Sequence, residues 1–90
     1  MKVWQAATIV LQRTKNDAVM WGDNVLLHQI AEEMGWPNEA FKTPKKVLAA
    51  LRSNPGKLRS LKTQMRNPFR LVSIFRLPPE MEHRAVANRS

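Results

Sequence analysis

Two histidines, seven carboxylates and no cysteine are the groups in this chain that most often make or break bonds or hold metals. His28 and His83 each lack a second ligand at the spacing a zinc site uses, so both are expected as solvated side chains and no metal is expected. Glu32 and Glu33 are neighbours, and on a helix they diverge by about 100°, which makes a poor acid–base pair. Three glycines do not build a phosphate-cradling loop of the usual pattern. The missing cysteines remove disulfides, thiolate metal sites and thiol nucleophiles together. The sequence therefore predicts no enzyme, no cofactor and no small-molecule substrate.

What the residue types do offer is neutralisation of phosphate. The chain carries a net charge of +8 and has a pI of about 11.0, which points to polyanionic partners. The excess is local. Residues 42–76 hold Lys42, Lys45, Lys46, Arg52, Lys57, Arg59, Lys62, Arg66, Arg70 and Arg76 with no carboxylate, whereas residues 1–41 are slightly acidic and 77–90 are balanced. A merely solvated face normally mixes both signs to limit self-repulsion. A one-signed stretch favours a nucleic-acid surface, where each Lys or Arg displaces a condensed counterion.

Those side chains need elements to position them. Val3, Ala7, Val10 and Leu11 follow helical spacing and predict a first helix over 3–15. Asn16 and Asp17 break it, and 18–21 has the length for only a brief strand before Gly22. Asp23 is expected to cap a second helix whose stripe is Leu27, Ile30, Ala31 and Met34; Gly35 ends it in a left-handed conformation, and Trp36 folds back. His28, Glu32 and Glu33 are expected on its exposed side. Thr43 is expected to cap a third helix over 44–53, with Pro44 at its first position. Its Val47, Leu48 and Leu51 turn to a core while Lys45, Lys46, Ala49, Arg52 and Ser53 turn to solvent. Asn54, Pro55 and Gly56 stop it.

The next segment fits two patterns. Leu58, Leu61 and Met65 suit a helix, but Leu61, Thr63 and Met65 also alternate as in a strand. Residues 69–77 alternate and are rich in aromatic and branched types, so they predict a strand, and a strand needs a partner. A hairpin of 58–65 with 69–77 across a turn at Arg66, Asn67 and Pro68 is favoured over a fourth helix. The three tryptophans, Trp4, Trp21 and Trp36, lie outside the basic stretch in sequence and are expected to pack in the core.

Helix, short extended piece, helix, helix and basic hairpin is an order that resembles the winged helix-turn-helix superfamily. The segments that carry the resemblance are DNVLLHQIAEEMGW, TPKKVLAALRSNPGKL and RSLKTQMRNPFRLVSIFRL. One departure is the connection over 35–42, longer than the three or four residues common in helix-turn-helix proteins. The resemblance implies a mainly α fold with a small β-hairpin (α+β), made of three helices plus a two-stranded wing. It also implies double-stranded DNA as partner, with helix 44–53 in the major groove and wing 58–77 on flanking DNA. The residues so implicated are Lys42, Thr43, Lys45, Lys46, Arg52, Ser53, Lys57, Arg59, Lys62, Arg66, Asn67 and Arg70. The amides at the start of the third helix offer a further phosphate site. A transcriptional regulator or a replication accessory of a bacterium or its phage is the expected role.

Residues 1–79 are read as that nucleic-acid-binding domain and 80–90 as a flexible tail. The longest apolar run, 6–11, is far below the ~20 residues of a membrane span, and the start of the chain lacks a small-residue cleavage site. A cytoplasmic protein is therefore expected, in the nucleoid or in a phage-infected cell. So small a domain buries little surface, which leaves room for a protein partner or a homodimer. An interaction module docking on an acidic partner and an RNA-binding protein are the rival readings.

Overall fold

The computed structural model describes residues 1–66 and 69–82. It is a small α+β domain in which three helices pack on a three-stranded antiparallel sheet. The elements run α1 (Val3–Arg13), β1 (Ala18–Met20), α2 (Asn24–Met34), α3 (Lys42–Ser53), β2 (Arg59–Met65) and β3 (Arg70–Arg76), followed by a 3-10 turn over Pro79–Met81. No helix among the described residues is long and apolar enough to cross a membrane.

α1 begins where the Gln5 side chain reaches back to accept the Lys2 amide at 2.7 Å. This is half of a capping box; the cationic Lys2 side chain has no acceptor to return. α1 and α2 end in the same Schellman arrangement, in which the residue after the left-handed one donates to a carbonyl five residues back. After α1 the Asn16 amide meets the Leu11 carbonyl at 2.9 Å, and after α2 the Trp36 amide meets that of Ala31 at 2.9 Å. The left-handed residue is Gly35 in α2 (φ 73°) but Lys15 in α1 (φ 59°). Only glycine adopts that conformation without a steric cost.

Two expected caps are not made. The Asp23 side chain does not bond the start of α2. Its Oδ2 instead accepts the Met20 amide at 2.9 Å, while the Asp23 amide donates to the Met20 carbonyl at 3.1 Å. A closed turn results, with Trp21 and Gly22 at its centre and Gly22 at φ 97°. α3 starts at Lys42, so Thr43 lies inside the helix rather than ahead of it. Its hydroxyl accepts the Glu39 amide at 2.7 Å and donates to the Pro37 carbonyl at 2.9 Å. Thr43 thereby pins the long α2–α3 connection, and its burial (4% exposed) follows from that.

The hairpin expectation for 58–77 is met, because β2 and β3 pair antiparallel with Arg59 opposite Arg76 and Met65 opposite Arg70. The sheet, however, has three strands rather than the two expected: β1 adds to the other edge of β3, with Val19 opposite Phe75, in the order β1-β3-β2. Three residues with one buried side chain, Val19, are too short for alternation to reveal. Their pairing is decided by β3.

The core joins Val3, Ala6, Ala7, Val10 and Leu11 of α1, Leu27 and Ile30 of α2, Val47, Leu48 and Leu51 of α3, Val19 and Phe75 from the sheet, and Leu77 just beyond β3. Trp4 and Trp36 pack against its rim. At the base of the hairpin Arg59 donates to the Leu77 carbonyl at 3.0 and 3.2 Å and pairs with Glu82, which also lies 3.8 Å from Arg76. Residues 80–82, read from sequence as the start of a tail, are thus fastened to the sheet through Glu82, with Met81 against the core. Residues 83–90 lie outside the described residues, as do Asn67 and Pro68.

Candidate nucleic-acid interface

Burial of Pro44, Val47, Leu48 and Leu51 forces the rest of α3 outward, since side chains advance about 100° per residue around the axis. Lys42, Lys45, Lys46, Ala49, Arg52 and Ser53 form the exposed arc. Its two flanks differ. Lys46 turns toward the end of α2, where its ammonium sits 4.4 Å from the Trp36 ring centroid. Arg52 turns toward the hairpin, and Lys45 toward the turn that holds Trp21.

Between α3 and the hairpin runs a cleft of about 300 Å³, lined by Trp21, Leu48, Arg52, Lys62, Arg70, Leu71, Val72 and Ser73. Register explains part of its lining. Phe75 and Leu77 point to the core, so by the two-residue period Ser73 and Leu71 continue on that face, and Lys62 lies opposite Ser73. The Lys62 ammonium donates to the Ser73 hydroxyl at 3.1 Å. Because β1 pairs only with residues 74–76 of β3, the next turn lifts Trp21 beside the open edge of that strand. The Arg70 guanidinium lies 5.9 Å from the Trp21 ring centroid.

The structure brings some of the expected DNA-contacting residues together and separates others. Arg52, Lys62 and Arg70 border the same cleft, and Lys45 lines a second groove that shares Trp21 with it. Lys46 and Ser53 share the exposed arc of α3, and Arg66 is exposed at the hairpin tip. Lys42 is exposed but 3.9 Å from Glu39. Lys57 is exposed in the turn before β2, at the hairpin end opposite Arg66 and some 20 Å away at ~3.3 Å per strand residue. Arg59 is committed to the Leu77 carbonyl and Glu82. Asn67 lies outside the described residues.

Thr43 is a correction, because its hydroxyl is buried and bonded on both sides. The phosphate site expected at the start of α3 weakens with it: the Thr43 amide already donates to the Glu39 carbonyl at 3.0 Å, and Pro44 has no amide to give.

Electrostatically the surface is one-signed. Lys45, Lys46, Arg52, Lys57, Lys62, Arg66 and Arg70 make no ion pair among the described residues, while Arg13, Lys42, Arg59 and Arg76 do. Among the described residues no cluster of His, Asp and Glu is arranged to hold a metal ion. His28, expected to be solvated, is half-buried on α2, and its Nδ1 is enclosed without a hydrogen-bond partner.

Sequence reasoning missed Trp21. It is 39% exposed and stands in the basic cleft rather than against the core as Trp4 and Trp36 do. The signal that could have found it is the closed turn with Gly22, which places position 21 at the apex. Phe41, 85% exposed, borders a second groove with Trp21, Pro44 and Lys45.

Comparison of the chain with protein-family models, with curated proteins and with solved structures returns no match.

Proposed function

We propose that this chain binds double-stranded DNA as a winged helix-turn-helix module, with α3 in the major groove and the β2–β3 hairpin as a wing on flanking DNA. The observation that carries this reading is the set of unpaired basic side chains on α3 and the hairpin, where no carboxylate interrupts residues 42–76. The element order and the β1-β3-β2 sheet support it as well. An α-helix about 10–12 Å across fits a groove about 12 Å wide. The twelve residues of α3 reach about 18 Å along it. Lys45, Lys46 and Arg52 meet phosphates or a guanine edge, and Arg66 and Arg70 neutralise the flanking backbone. A regulator of transcription or a replication accessory is the role such a module serves.

The test is a duplex titration at several salt concentrations. Five neutralised phosphates give a slope of log affinity on log salt near −4.5, and a slope near zero refutes the reading. Reversal of Lys45, Lys46 and Arg52 to Glu abolishes binding with circular dichroism unchanged; unaltered affinity excludes α3 as the reader.

A second reading, docking on an acidic protein, draws support from the exposed Phe41 beside Lys45. Retention of one protein from nuclease-treated lysate by the wild type, and its loss with Phe41→Ser, would favour that reading over DNA.

A further inference from the structure

We propose that the cleft between α3 and the hairpin receives one unpaired nucleotide of DNA, its base stacked between Trp21 and Arg70 and its phosphate held by Arg52 and Lys62. The protein then prefers a duplex carrying a single-stranded extension to a blunt one. This rests on the DNA-binding reading above and names the form of DNA that the same surface selects.

Groove contacts explain the basic residues of α3 but leave Trp21 without a task. A tryptophan that serves only packing is covered, as Trp4 and Trp36 largely are, whereas Trp21 is exposed where the positive side chains converge. An aromatic plane edged by cations is the arrangement that holds single-stranded nucleic acid, since every base offers a π-face and every nucleotide a phosphate. The cleft, about 300 Å³, lies at the lower limit of sites that enclose small organic ligands, ~300–1,000 Å³.

Stacked bases lie ~3.4 Å apart, so a base between Trp21 and Arg70 needs nearly 7 Å between their planes. The guanidinium is now 5.9 Å from the ring centroid. An outward swing of the exposed Arg70 side chain admits the base and keeps a cation on its far face. Leu71, 60% exposed, supplies an apolar wall, and Lys62 and Arg52 approach from the opposite sides of the cleft. A base that stays paired in a duplex cannot enter, because its faces are already covered by its neighbours in the stack.

The experiment compares a blunt duplex with the same duplex bearing a short thymidine extension, by fluorescence anisotropy, for the wild type, Trp21→Ala and Trp21→Phe. Stacking of one base predicts roughly 5- to 150-fold tighter binding of the extended duplex by the wild type. Trp21→Ala loses that preference while its blunt-duplex affinity stays within about twofold, and Trp21→Phe retains most of it. Equal wild-type affinity for the two duplexes overturns the inference and leaves the duplex reading standing. A preference that survives in Trp21→Ala overturns it as well. Failure of the wild type to bind either duplex sinks the DNA-binding reading itself.

Discussion

Substitution of Gly56 by Ala is expected to be the most damaging single-methyl change in this protein. Gly56 sits between α3 and β2 at φ 56°, and a Cβ built there would lie 2.2 Å from Cγ and Cδ2 of Trp4 and 2.3 Å from Cε2. Carbon atoms in good contact stand ~3.5–4.0 Å apart, so the indole must retreat by about 1.5 Å. Trp4 has little freedom to do so, because it projects from α1 against the core. The left-handed backbone costs about 1–2 kcal/mol for a residue with a Cβ, and overpacking adds about 1–3 kcal/mol. Together they remove ~2–5 kcal/mol. Urea denaturation followed by circular dichroism measures this without relying on tryptophan emission. The same substitution in a Trp4→Ala background should cost only the backbone share, leaving a coupling of ~1–3 kcal/mol in the double-mutant cycle. A loss below about 1 kcal/mol, or equal losses in the two backgrounds, would refute the contact as the reason glycine is needed.

The two Schellman ends supply a matched pair of tests. Lys15→Gly should raise stability by about 1 kcal/mol, or ~4–8 °C in Tm for a domain this small, and an unchanged melting curve would sink the idea of a strained Lys15. Gly35→Ala should lower stability by ~1–2 kcal/mol although nothing lies within 4 Å of the added methyl, because the left-handed φ remains. Thr43→Val should cost ~1–3 kcal/mol by leaving the Pro37 carbonyl and the Glu39 amide without their partner. Thr43→Ser, which keeps the hydroxyl, should cost about 1 kcal/mol or less. Equal losses in denaturant titrations of the two Thr43 variants would assign its burial to packing alone.

The helices and the hairpin were legible because their signals are local. Leu27, Ile30, Ala31 and Met34 repeat at helical spacing, Gly35 marks the stop, and Phe69, Leu71, Phe75 and Leu77 alternate as a strand must. Features decided by distant partners were not legible. Val19 joins a sheet only because Phe75, more than fifty positions on, presents a free edge. Asp23 and Thr43 have the right chemistry for caps, but tertiary structure gave their oxygens nearer donors, at Met20 and Glu39. Charge partition marked out the basic stretch as far as composition can. It did not tell Arg59, tied to Glu82, from Arg70, which stands free of carboxylates. Nor did it bring Trp21 into a cluster from which it is distant in sequence.

The closed turn from Met20 to Asp23 has a consequence for how the Trp21 ring behaves before any ligand arrives. Two hydrogen bonds across four residues, at a bend that Gly22 permits, hold the indole's attachment point. A backbone that would otherwise wander is held, so whatever meets the ring gives up less motional freedom in settling there. Asp23→Ala removes no aromatic or basic group and would still weaken contact at Trp21, because the loosened turn would have to be immobilised at each encounter.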